Sequence, residues 1–222
     1  MSAACPRLRC VTESAERPHP RGVFVALEGG DGAGKTTQAM LLRDWFEAGG
    51  RTVRMTREPG GTELGLAIRQ VLLHGDHVAP RAEALLFAAD RAHHVETLIR
   101  PALERGEVVI TDRYLDSSIA YQGAGRDLGV PEVRDLNLWA VAGLLPDLTV
   151  VLDVSAADGR QRRGDEHDRL EREPDDFHDR VRQHFLDLAA ADPDRYLVVD
   201  AAAPVEVIAA AIRGRLEGVI AR

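Results

Sequence analysis

Lysine is almost missing from this chain of 222 residues: of 28 basic residues only Lys35 is a lysine, and the others are arginine. Asparagine is as scarce, with Asn137 alone. No Asn-Lys-x-Asp stretch can therefore be assembled, which removes the guanine-reading element expected of a G-protein switch. Cys5 and Cys10 are the only cysteines, too few and too local for a disulfide framework, so a reducing cytoplasmic location is expected. The longest uncharged apolar stretch, around Leu138 to Leu145, is too short to span a bilayer, and no membrane partner is expected. A formal net charge of -8 implies no counterion-releasing basic surface, so no nucleic acid polymer is expected either. A mononucleotide remains open, because it needs only a local cationic pocket.

Residues 1–21 hold Pro6, Pro18 and Pro20 among mixed charges, with no apolar run of the kind a secretory signal contains. They read as a disordered extension. Cys5, Cys10 and His19 match no standard zinc spacing. Residues 22–222 are long enough for one domain with a full core.

The lone lysine sits in Gly29-Gly30-Asp31-Gly32-Ala33-Gly34-Lys35-Thr36, which fits G-x-x-x-x-G-K-[ST]. A chance match arises in roughly one percent of chains this long. Keeping the single lysine there makes chance a poorer account still, since a compact ammonium suits the space between β- and γ-phosphates. Gly22 to Leu27 before the loop is a short apolar run, as in a buried parallel strand. After it, Met40, Leu41, Leu42, Trp45 and Phe46 outline a helical face that Gly49-Gly50 ends. Strand, glycine loop and helix make a phosphate cradle. Gly29, Gly30, Asp31, Gly32, Ala33, Gly34, Lys35, Thr36 and Thr37 are the expected residues for binding a nucleoside triphosphate, using backbone N–H groups and a helix N-terminus. Thr36 would give Mg²⁺ a hydroxyl ligand.

Further strands are expected at about Thr52–Thr56, Glu107–Thr111, Leu148–Leu152 and Tyr196–Val199. Helices are expected at about Glu63–Leu73, after Pro80, at Pro131–Leu144, up to about Ala190, and at Pro204–Ile220. Strands alternating with helices predict a parallel three-layer α/β domain, with ligands at the carboxyl ends of the strands. Two strands run into a carboxylate, at Asp112 and Asp153, and either could hold Mg²⁺ through water. Asp112 is preferred because Arg113 beside it could hold an anion in the same cleft.

The chain also contains pieces suited to a second, anionic substrate. Phe87 and Arg91 are four apart on an expected helix, so a ring and a donor share one face. Ser118 and Gln122 make a similar polar pair if their segment is helical, with Tyr121 beside them. At this level the acceptor stays open between several monophosphates or a nucleoside, and a nucleotide-binding switch or scaffold is not yet separated from an enzyme.

Phe24 to Gln38, Arg57-Glu58-Pro59-Gly60-Gly61-Thr62, Phe87-Ala88-Ala89-Asp90-Arg91 and the block Asp112 to Gly123 resemble, in order and spacing, the motifs of thymidylate kinases. The last block is the most specific, since the glycine loop is shared by many enzymes. The resemblance implies a five-stranded P-loop NTPase fold of the nucleoside monophosphate kinase kind. It implies transfer of the γ-phosphate of ATP to dTMP with Mg²⁺, giving dTDP and ADP, a step toward dTTP, by a cytoplasmic homodimer. Matched by position, Phe87 would stack on thymine while Arg91, Ser118 and Gln122 hydrogen-bond its edge. Tyr121 would select deoxyribose, Arg69 and Arg113 would hold the acceptor phosphate, and Asp31 and Glu58 would lie near the acceptor's sugar and phosphate.

Asp158-Gly159-Arg160-Gln161-Arg162-Arg163-Gly164 resembles the family's lid, at about residues 154–170. Gly32 stands where one branch of the family carries arginine, so the chain resembles the bacterial branch in which lid arginines act on the γ-phosphate. Lys35, Arg113, Arg160, Arg162 and Arg163 are accordingly the expected catalytic residues, with Thr36 and Asp112 for the metal. Which lid arginine acts is left open, and the loop after Asp200 is a candidate for adenine contact. His74 with His77, and His93 with His94, do not have a convincing metal-site spacing.

Overall fold

Val23–Gly29 forms β1, wholly buried at the centre of the sheet, as its unbroken apolar run requires when helices cover both faces. The structure is a computed structural model and describes residues 21–162 and 168–221. The expected extension thus lies outside the described residues except for Arg21, which pairs with Asp147. Helix α1 (Lys35–Ala48) follows the glycine loop. Its buried face runs through Gln38, Ala39, Leu42 and Phe46, whereas Met40, expected on that face, is exposed.

Next come β2 (Val53–Arg57), α2 (Glu63–His74), whose cap is Thr62 accepting from the Gly65 amide, and α3 (Pro80–His94). A π-helical turn at Val95–Ile99 leads into α4 (Arg100–Glu104), and β3 spans Val108–Asp112. Short α5 (Leu115–Ser118) runs into a second π-helical segment, Ile119–Gly125. The expected helical pairing of Ser118 with Gln122 is therefore set on a widened turn. Helix α6 (Val130–Ala140), β4 (Leu148–Asp153), α7 (Ala156–Arg162), α8 (Asp175–Ala191), β5 (Tyr196–Asp200) and α9 (Val205–Ile220) complete the chain.

All strand pairs are parallel, in the order β2-β3-β1-β4-β5. Alternate residues serve opposite faces. Val25, Leu27, Ile110 and Val150 meet Leu42 and Phe46 of α1 and Ile208 and Ile212 of α9. Phe24, Ala26 and Val109 meet Ile99, Tyr114, Ile119 and Val141 on the other side. Each such aliphatic side chain contributes about 1.5–3 kcal/mol on burial. A third cluster, with Leu72, Phe87, Tyr121, Phe177 and Phe185, joins α2, α3 and α8 with Val151 of β4 and Tyr196 of β5. The register sets Leu27 opposite Asp112, and Arg57 also opposite Asp112. β2 and β3 thus end at one level, and β1 runs two residues further, to Gly29.

Candidate active site

Above those strand ends lies a cavity of about 460 Å³, a volume suited to nucleotide-sized ligands. Its lining includes Asp31, Gly32, Gly34, Lys35, Thr36, Glu58, Arg69, Phe87, Arg91, Asp112, Arg113, Ser118, Tyr121, Gln122 and Arg162. Most of the expected site residues therefore meet in one place. Gly29, Gly30, Ala33 and Thr37 belong to the same loop and helix start without lining this cavity, and Arg163 lies outside the described residues.

At the phosphate-loop end, Gly29 has φ 127° and Gly32 φ 78°, conformations that L side chains adopt only under strain. The buried Lys35 ammonium donates to the carbonyls of Gly29 at 3.1 Å and Gly30 at 2.9 Å. Burial, with Arg113 nearby, holds its pKa below the ordinary lysine value. The loop thus keeps a desolvated cation at its floor, where an incoming anion would be strongly attracted.

Asp112 Oδ1 is buried with no hydrogen-bond partner, and the exposed Thr36 lies on the same cavity wall. An orphaned carboxylate oxygen beside a hydroxyl fits a hard, oxygen-seeking cation such as Mg²⁺. Among the described residues no group of three or more His, Cys, Asp or Glu side chains forms a metal cage. Ligand oxygens and water would complete the coordination, as is usual for this ion. Asp153, the alternative, is held by Arg182 in two bonds of 2.6 and 2.9 Å.

Arg113 stands between the two ends of the cavity. Its guanidinium donates to Asp31 Oδ1 at 2.6 Å, Ser117 Oγ at 3.1 Å and the Gly29 carbonyl at 3.1 Å, and it lies 5.1 Å from the Tyr121 ring centroid. Its backbone is left-handed, with φ 70°, a conformation costing about 1 kcal/mol or more and common at functional positions. Sequence reasoning missed the support beneath it. Buried Glu28 accepts from the Tyr114 amide at 2.8 Å, the Ser117 amide at 3.2 Å and Ser117 Oγ at 2.6 Å. Burial, reinforced by Asp116, pushes its pKa up to about 7.

At the far end, Phe87 serves both as core and as cavity wall. Arg91 is 1% exposed. It donates to Glu58 Oε2 at 2.6 Å, Ser118 Oγ at 3.0 Å, the Tyr114 carbonyl at 2.9 Å and Asn137 Oδ1. These bonds use four of its five N–H groups. Glu58 Oε1 meets His94 Nδ1 at 2.8 Å, and His94 Nε2 meets Thr56 Oγ1 at 2.7 Å. His94 is thereby committed to hydrogen bonds within the protein. Arg69 donates to the Pro59 carbonyl at 2.9 Å. Asn137 and His94 carried no motif; the one signal for Asn137 was its being the sole asparagine.

Of the arginines near residue 160, Arg162 lines the cavity and donates to the Ala201 carbonyl at 2.9 Å. Arg160 pairs with Asp175 away from it. Helix α7 and the glycine loop touch through backbone, since a Cβ on Gly32 would lie 2.4 Å from the Gly159 carbonyl oxygen.

Comparison with known proteins agrees with this geometry. A model of the thymidylate kinase family matches residues 27–212. A thymidylate kinase of Clavibacter sepedonicus is 64% identical over 204 residues, covering 90% of this chain and 97% of that protein. One from Leifsonia xyli subsp. xyli is 63% identical over 202 residues, covering 89% and 95%. The crystal structure of thymidylate kinase from Ehrlichia chaffeensis superposes with a TM-score of 0.75 at 32% identity, covering 89% of this chain and all of that one. The sheet order, the phosphate loop and these matches along most of the chain lead to one statement: the chain belongs to the thymidylate kinase family.

Proposed function

We propose that this cavity is where the chain carries out its family's reaction, transfer of the γ-phosphate of ATP to dTMP to give dTDP and ADP. The observation that carries the assignment is a single cavity with Lys35, Thr36 and Asp112 at one end, Phe87, Arg91, Ser118 and Gln122 at the other, and Arg113 between them.

ATP phosphates bind along Gly29 to Thr37, with Lys35 releasing its carbonyl contacts to meet them. Phe87 stacks on thymine, and Arg91, Ser118 and Gln122 read its edge. Arg69 and Arg113 hold the acceptor phosphate, Asp31 and Glu58 lie near the acceptor's sugar and phosphate where they keep Arg113 and Arg91 in place respectively, and Tyr121 packs where a 2′-hydroxyl would sit. Thr36 and Asp112 would hold Mg²⁺, which when bound neutralises charge on the transferring phosphate. No proton-abstracting base is needed, because the acceptor is already an anionic phosphate oxygen. The protein's contribution is alignment and electrostatic stabilisation.

Residues 22–222 are one kinase domain in which residues 154–170, of which 163–167 lie outside the described residues, act as a lid. Of Arg160, Arg162 and Arg163, Arg162 is the favoured partner of the γ-phosphate because it already lines the cavity. Among the described residues no helix is long and apolar enough to cross a membrane, and a cytoplasmic enzyme is proposed. A homodimer is proposed through α2, α3 and α6, which expose Leu64, Leu66, Val71, Leu85 and Trp139. ADP release from ATP against dTMP, dUMP, dCMP, dGMP and thymidine tests the acceptor assignment. Turnover greatest with dTMP is expected, and turnover indifferent to the acceptor would refute it.

A further inference from the structure

Glu83, on α3, is fully buried and belongs to none of the roles above. Its Oε1 accepts from Gln122 Nε2 at 2.8 Å and from Arg126 Nε at 3.3 Å. Its Oε2 accepts from Arg126 Nη2 at 3.4 Å and lies 2.5 Å from Arg169 Nη2. Arg169 is itself fixed by the Leu72 carbonyl at 2.8 Å. Two guanidinium groups thus hold a carboxylate in place, and the carboxylate holds a side chain that lines the cavity.

A carboxylate between two guanidiniums can only accept hydrogen bonds, so the NH₂ of the Gln122 carboxamide must face it. The amide oxygen then remains as the atom with no hydrogen-bond partner among the described residues. Left alone, a carboxamide turns over by half a rotation and offers a donor as readily as an acceptor. Pyrimidine bases differ at that point. Thymine presents N3–H, a donor, whereas cytosine presents a bare N3, an acceptor. Arg91, a donor only, suits the thymine O4, but a Gln122 free to flip would still accommodate cytosine N3.

We propose that Glu83 is a specificity-determining positioning residue, locking the Gln122 carboxamide with its oxygen toward the base so that the site accepts N3–H and rejects cytosine. This rests on the reading of Gln122 as a base contact. A buried polar group left unpaired against the wrong base is what makes such discrimination steep.

The test compares kcat/KM for dTMP and dCMP, with ATP saturating, in the parent and in three variants. Gln122→Ala establishes whether Gln122 reads the base at all; an unchanged dTMP/dCMP ratio there would overturn both that reading and the proposal. With the ratio reduced in Gln122→Ala, Glu83→Gln should lower it by about 10- to 100-fold, through KM for the acceptors and with KM for ATP unchanged. An unchanged ratio in Glu83→Gln would overturn the proposal while leaving Gln122 as a base contact. The double variant Glu83→Gln with Gln122→Glu exchanges the two groups. The carboxamide at position 83 then donates to the carboxylate at 122, whose second oxygen still accepts from N3–H. A ratio restored to within about threefold of the parent is expected. Should Glu83→Gln alone not fold, the double variant decides, and a ratio as low as in Gln122→Ala would overturn the lock.

Discussion

Gly32 and Gly159 face each other with no room for a methyl group on either. A Cβ on Gly32 would lie 2.4 Å from the Gly159 carbonyl oxygen, and one on Gly159 would lie 2.6 Å from that of Asp31. The phosphate loop and α7, the helix that carries Arg162, are therefore in backbone contact. Gly159→Ala is expected to displace α7 and lower kcat on the order of 10²-fold, since a shift of about 1 Å in Arg162 would have that effect if it acts on the γ-phosphate as proposed above. KM for dTMP should change little, because no dTMP contact proposed above is on α7. Steady-state kinetics separates the two parameters. A variant with equal losses in both would place Gly159 in acceptor binding instead.

Lys35→Ala should reduce kcat by about 10²–10³-fold or more, as removal of one preorganised cation at a developing charge does. Lys35→Arg should not rescue it, because the planar fork cannot occupy the space between the Gly29 and Gly30 carbonyls. Turnover assays with a thermal midpoint for each variant check this, and a fully active arginine variant would contradict the point-charge role.

Tyr121 is buried with its ring against Arg113 and its hydroxyl 3.5 Å from Asp31 Oδ2. At that length the hydroxyl bond is weak, so the ring carries the proposed sugar selection. Tyr121→Phe should keep the preference for dTMP over its ribonucleotide, and Tyr121→Ala should lose about tenfold or more of it. Relative kcat/KM for the two acceptors is the measurement.

Glu28 links stability to pH. Its pKa rises from 4.5 to about 7 on folding, so between those values the folded chain holds a proton that the unfolded chain has released. The contribution is complete below the unfolded value and disappears as pH rises through about 7, amounting to at most about 3 kcal/mol. The thermal midpoint of the parent should therefore fall more steeply between about pH 4.5 and 7 than that of Glu28→Gln. Parallel profiles would remove Glu28 as the source.

Residues whose place in the fold follows from local chemistry were legible in the sequence. The strands were apolar runs, the phosphate loop a spacing, and Phe87 and Arg91 a helical pair. What escaped depends on partners distant in the chain. Asp112 was preferred to Asp153 only for the Arg113 beside it; that Arg182, 29 residues after Asp153, holds the second was not visible in the sequence. Arg91 was expected as a ligand contact, yet most of its donors hold Glu58, Ser118, Tyr114 and Asn137. Removing it would leave Glu58 a buried, half-compensated charge, costing about 3–5 kcal/mol. The π-helical turn that carries Tyr121 and Gln122 has no propensity signature of its own, since packing rather than composition widens it.

The buried ammonium of Lys35 also makes the protein chemically singular. The chain has one ε-amino group, and that group lies at the floor of the phosphate loop. An amine-directed acylating reagent has no other lysine to consume it. Its mass increment at Lys35, and the protection that a bound nucleotide gives, would read occupancy of the loop directly, without mutation and without a coupled assay.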